Sequence, residues 1–128
     1  MRENFEHLQE RMFNFAVTVV QFVDAMPNTL VGRHIGGQLL RSGTSSAANY
    51  EEACAAESRA DFIHKLSIAL KELRESRFWI RLAVSVKVKI AEDDHDLRQE
   101  SDELCRIIAS SIVTAKSNAR KQKETNRM

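Results

Sequence analysis

One proline and four glycines are all that interrupt 128 residues. So little turn-forming material leaves room for few loops. Only two cysteines are present, Cys54 and Cys105, without any C-x-x-C spacing. A disulfide framework or a thiolate metal site is therefore not indicated, and two buried free thiols in a reducing cytoplasm are expected. No sign of charge dominates, since 19 basic residues face 18 acidic ones for a net +1. Bulk attraction to nucleic acid or to a membrane is not implied. The longest apolar stretch is interrupted by Thr18 and Gln21 and is too short to span a bilayer. The opening residues, MRENFEHLQERM, are polar and mixed in charge, so no signal peptide is expected. There is no internal repeat and no low-complexity segment.

What is present is apolar periodicity at helical spacing. With 43% apolar and 29% charged residues, the chain has the composition of one folded domain with one modest core. Phe5, Leu8, Met12, Phe15, Val19, Phe22 and Met26 step by three and four, which predicts a first helix over about residues 3–25. Pro27 stops it, and Asn28 or Thr29 can cap the next helix. That second helix is expected over about residues 39–56, with a start as early as Leu30. It is crowded with small residues from Ser42 to Ala48, which disfavour an isolated helix but admit a closely packed neighbour. Leu39, Gly43, Ser46, Tyr50 and Ala53 form its thin face. Ser58-x-x-Asp61 reads as a capping box opening a third helix that runs to about Ile90. Phe62, Leu66, Ala69, Leu73, Ser76, Ile80 and Ala83 supply its seam. The acidic cluster Glu92, Asp93, Asp94 and Asp96 suits the start of a fourth helix. That helix carries Leu97, Leu104, Ile108, Ile112 and Ala115. The expected fold is an all-α, antiparallel up-and-down four-helix bundle over residues 1–116. From Ser117 the pattern dissolves, and residues 117–128 read as a basic, disordered tail.

Several segments also resemble a known family. They are Phe15-Ala16, Met26-Pro27, Gln38-Leu39-Leu40-Arg41-Ser42, Ala47-Ala48-Asn49-Tyr50, Asp61 to Leu66, Lys71-Glu72 and Phe78-Trp79. Together they resemble the small four-helix-bundle proteins encoded in intervening sequences of bacterial 23S rRNA genes. The accessory variability protein of diversity-generating retroelements is a more distant likeness, and such relatives are associated with RNA and a reverse transcriptase. Gly43 and Ser46 depart from the pattern, standing where Ala and a β-branched apolar residue are expected. The resemblance implies the bundle fold and a homopentameric ring. It does not imply a cellular role.

Chemistry is harder to find. Gly32, Gly36 and Gly37 could suggest a phosphate-cradling loop, but no strand precedes them. A di-metal carboxylate site needs paired Glu-x-x-His motifs facing one another. Asp61-x-x-His64 and Glu92-x-x-His95 sit at opposite ends of the third helix, roughly 40 Å apart, and cannot share a metal. His7 and His34 lack partner carboxylates at useful spacing. Ser42, Ser45 and Ser46 have no elbow and no paired base, so helix packing accounts for them. No catalytic residue, metal ligand or cofactor is expected, and the chain reads as a non-enzyme.

Two surfaces remain. Trp79, Ala83, Val86 and Ile90 read as a second apolar stripe on the third helix, a subunit interface for a homo-oligomer. Arg74, Arg77 and Arg81 fall within about a 60° arc of the same helix. With Arg120 and Lys121 of the tail, they are candidate phosphate contacts for a structured RNA. A solvated face, salt-bridged to Glu72 and Glu75, is the plainer reading. The expected function is thus an oligomeric scaffold or adaptor with a protein partner, and the alternative is RNA binding. A cytoplasmic location and no membrane contact are expected.

Overall fold

In the computed structural model four helices account for almost the whole chain: α1 (Arg2–Asp24), α2 (Leu30–Cys54), α3 (Arg59–Ser85) and α4 (Ala91–Arg127). The structure describes the backbone of residues 2–88 and 91–127, and the side chains of residues 6–88 and 96–127. No strand occurs among the described residues. Each helix packs against the next in sequence, and α4 closes the square against α1. This is an antiparallel up-and-down four-helix bundle, as the periodicity predicts.

The boundaries follow from local chemistry. Pro27 lacks an N–H, and α1 ends just before it. Thr29 is the N-cap of α2, its Oγ1 accepting from the Gly32 N–H at 3.0 Å. The glycine-rich stretch after it is helical, so α2 starts at Leu30, the earlier of the expected starts. Ser58 caps α3 in the same way, accepting from the Asp61 N–H at 3.0 Å. Helix α3 is shorter than its apolar pattern suggests. It stops at Ser85 because Lys87 takes a left-handed conformation, φ 63°. The Lys87 N–H then donates to the Val84 carbonyl at 3.1 Å, and the Val88 N–H to the Ala83 carbonyl at 2.9 Å. This is a Schellman closure with Lys in the place usually held by Gly.

The core consists of the expected seams. Met12, Phe15, Val19 and Phe22 of α1 are buried, as are Leu66, Ala69, Leu73, Ser76, Ile80 and Ala83 of α3. Leu97, Leu104, Ile108 and Ile112 represent α4. Phe5 lies outside the described side chains. Each large apolar side chain fully buried here contributes about 1.5–3 kcal/mol. The thin face of α2, Leu39, Gly43, Ser46, Tyr50 and Ala53, is buried without exception. Its thinness is required by α1. A Cβ on Gly43 would lie 2.7 Å from Cγ1 of Val19 and 2.9 Å from its Cγ2. Ser42 and Ser76 serve the α2–α3 contact, where their hydroxyls are 2.9 Å apart and buried.

Helix α4 corrects the expectation of a disordered tail. Residues from Ser117 continue the helix to Arg127, where Ala, Arg, Lys, Gln and Glu are good helix formers and no Gly or Pro intervenes. At 37 residues against 27 for α3, α4 is about 15 Å the longer. Its last seven residues, 121–127, about two turns, are exposed.

Candidate nucleic-acid interface

The three arginines of α3 lie on its exposed side, and packing against α4 gives them company. Arg77 reaches across to Asp102 of α4, Nη1 to Oδ1 3.3 Å. The buried Cys105 thiol reports the neighbourhood. Burial pushes its pKa up, while the nearby guanidiniums of Arg77, Arg74 and, more weakly, Arg106 pull it down. The Arg77–Asp102 pair spans the α3–α4 seam, with Arg74 one turn before Arg77 on α3 and Arg106 one turn after Asp102 on α4. Arg81 continues the row on α3, one turn beyond Arg77, and it is exposed like Arg74 and Arg106. An exposed pair such as Arg77–Asp102 contributes little stability, so it leaves the arginine available to a phosphate.

The tail residues do not join this face. Arg120 lies fourteen positions after Arg106 on α4, roughly 21 Å along the helix axis. Arg120 and Lys121 thus form a separate basic end, exposed on the helical extension. Sequence reasoning missed Arg106 because only the pairing of α3 with α4 brings it near Arg74. It also passed over Phe78. This ring is 55% exposed and sits between Arg74 and Arg81 at i−4 and i+3. The exposed aromatic among arginines was visible in the string RESRFWIR.

The apolar stripe assigned to a subunit interface is dispersed. Ala83 is fully buried in the core, seven residues after Ser76 and on the same face, so it presents nothing to a neighbour. Trp79 is half-buried and engaged within the chain. Its Nε1–H donates to Glu75 Oε1 at 3.2 Å, and its ring meets His34 edge-on at 5.7 Å. Val86 is 49% exposed, and Ile90 lies outside the described residues. A different stripe is more continuous. Phe13, Val17 and Val20 occupy one side of α1 at i, i+4 and i+7, and all are exposed. Their spacing was legible, but it was overshadowed by the stronger seam through Phe15 and Val19.

A cleft of about 1180 Å³ opens at the end of the bundle where α1 and α4 flank the α2–α3 connection. Tyr50, Cys54, Phe62, Ile107 and Thr114 are among its lining residues. The Tyr50 hydroxyl is buried with no nitrogen or oxygen partner. Burial and the adjoining Cys54 hold it protonated well above the ordinary tyrosine range. Burial likewise raises the Cys54 thiol, which makes it a poor nucleophile at neutral pH. Among the described residues, no three His, Cys, Asp or Glu side chains are grouped to hold a metal ion. No helix among them is long and apolar enough to cross a membrane.

Comparison with known proteins agrees with this architecture. The family model of the 23S rRNA-intervening sequence protein matches residues 6–110. A solved structure from Bacteroides thetaiotaomicron, a protein with unknown function from the S23 ribosomal protein family, is 36% identical. The match covers 82% of this chain and 97% of that one, with a TM-score of 0.77. No curated protein matches the chain.

Proposed function

This chain belongs to the 23S rRNA-intervening sequence protein family, and on that premise we propose that it is a non-enzymatic RNA-binding bundle whose working surface is the α3–α4 basic face. The observation that supports this reading is the Arg77–Asp102 contact, which sets Arg74 and Arg77 of α3 beside the turn of α4 that carries Arg106, in a chain whose net charge is only +1. Local concentration of guanidiniums, rather than overall charge, is what contacts a row of phosphates. The test is retention of a structured RNA on the protein across a salt series. Binding falls as salt rises, with a log–log slope of about 0.7 to 0.9 per phosphate contact. Changing Arg74, Arg77 and Arg81 together to Glu abolishes retention and leaves the helical spectrum unchanged. Absence of retention by the unchanged protein at about 50 mM salt, where such contacts are strongest, refutes the reading.

A second reading is a homo-oligomeric scaffold, and the exposed Phe13–Val17–Val20 stripe favours it. Three large apolar side chains on successive turns of a surface helix form the kind of patch that subunit contacts cover. The two readings are compatible. An assembly of several copies, a pentamer by the family resemblance, repeats the basic face once per subunit and strengthens a weak phosphate contact through avidity.

A further inference from the structure

Phe78 is held in place on the surface rather than left there. Its ring packs edge-on against Trp79, with centroids 5.0 Å apart and planes at 79°. Trp79 is in turn fixed by its hydrogen bond to Glu75 and by the ring of His34. Glu75 is bound by Arg41 of α2, which also reaches Glu72 at 3.0 Å. A ladder of contacts thus runs from α2 to an aromatic ring that is 55% exposed. Within this chain the arrangement presents an apolar face to water with nothing covering it.

The neighbours of that ring are cationic. On α3, Lys71, Arg74 and Arg81 are exposed and stand at i−7, i−4 and i+3 from Phe78. Residues three and four apart on a helix are about 5–6 Å apart at Cβ, so arginines bracket the ring within side-chain reach. An aromatic face flanked by guanidiniums matches the chemistry of an unpaired nucleotide, whose base stacks while its phosphates are neutralised. A duplex offers no such match, since its base faces are already stacked on one another.

We propose that Phe78 is a stacking platform for an unpaired base, with Lys71, Arg74 and Arg81 holding the flanking phosphates, so that the face selects single-stranded or looped RNA over duplex. This rests on the RNA-binding reading above and specifies its ligand. The edge contact with Trp79 is part of the device, because a platform ordered before binding loses less entropy on binding.

Trp79 is the only tryptophan of the chain, which makes its fluorescence a reporter on the neighbouring ring. The experiment titrates the full chain at about 50 mM salt with an unstructured twelve-nucleotide RNA, and separately with the blunt duplex it forms with its complement. The single strand quenches Trp79 and binds more tightly. The duplex binds more weakly and leaves the emission unchanged. Phe78→Leu keeps an apolar side chain but removes the π face, and lowers single-strand affinity about tenfold or more with duplex affinity unaltered. Phe78→Tyr keeps the ring and keeps the affinity.

If Phe78→Leu leaves single-strand affinity unchanged while the arginine-to-Glu variant loses all RNA, the platform is wrong and RNA binding stands. Equal loss with Phe78→Tyr also overturns it. If the unchanged chain retains neither RNA, both ideas fall. A Trp79 signal that tracks protein concentration instead of RNA assigns the ring to self-contact and overturns the proposal.

Discussion

Ser42 of α2 and Ser76 of α3 meet hydroxyl to hydroxyl at 2.9 Å, both fully buried. Two neighbouring carbonyls complete the cluster, Glu72 at 2.8 Å from Ser76 and Leu39 at 3.4 Å from Ser42. Small side chains let the helix axes approach, and the shared hydrogen bond relieves the cost of burying two hydroxyls. Ser76→Ala leaves the Ser42 hydroxyl only its longer bond to the Leu39 carbonyl and destabilises the bundle by about 1 kcal/mol. The double Ser42→Ala, Ser76→Ala variant loses less than the sum of the two single changes, because each single change already breaks the shared bond. Urea unfolding of the four proteins of this cycle measures the difference, and strict additivity would contradict a direct bond.

Two glycines of α2 respond in opposite directions to the same substitution. Gly43→Ala drives a methyl into Val19 and costs about 1–3 kcal/mol by overpacking. Gly37→Ala meets nothing within 4 Å and lies inside a helix, so it stabilises by about 0.5–1 kcal/mol. Thermal melts of both variants check the sign.

Acidification reaches Glu75 through its partners. Hydrogen bonds from Arg41, and then from Trp79, hold its carboxyl below the ordinary value of 4.5. A carboxylate whose pKa is depressed on folding adds stability that is present above the unfolded value and lost as pH falls through the folded one. The side-chain carboxyl resonance of Glu75, followed by NMR, therefore titrates with its midpoint below 4.5. In Arg41→Met the midpoint moves to higher pH. A midpoint unmoved by that substitution removes Arg41 as the cause.

The α1 stripe predicts the behaviour of the assembly. Val17→Asp places a charge in the centre of Phe13, Val17 and Val20 while leaving the core residues Phe15 and Val19 untouched. Light scattering gives about five times the 14.6 kDa chain mass for the unchanged protein and a smaller mass for the variant. A mass that stays high shows that copies meet elsewhere.

How much of this was legible in the sequence depended on whether one helix sufficed to read it. The seams of α1, α3 and α4 repeat along a single segment, so periodicity revealed them, as it did the thin face of α2. The end of α3 was not legible, because a left-handed residue is signalled by Gly and this chain uses Lys87. Apolar Val86 and Val88 continued the pattern past the true stop. Arg106 was invisible for another reason. Its place beside Arg74 depends on which faces α3 and α4 turn to one another, a tertiary fact that no one-dimensional spacing encodes. Ala83 misled because it was assigned to two faces at once, and the core holds it.

The conformation of Lys87 fixes more than the length of a helix. Successive residues in an α-helix turn by about 100°, so a stop placed one residue later would start the connection to α4 from a different side of α3. The side that α4 turns inward is set separately, by its own buried seam of Leu97, Leu104, Ile108 and Ile112. Lys87 thus decides where α3 lets go of the chain, at an angle that an L side chain takes at a cost and glycine would take without one.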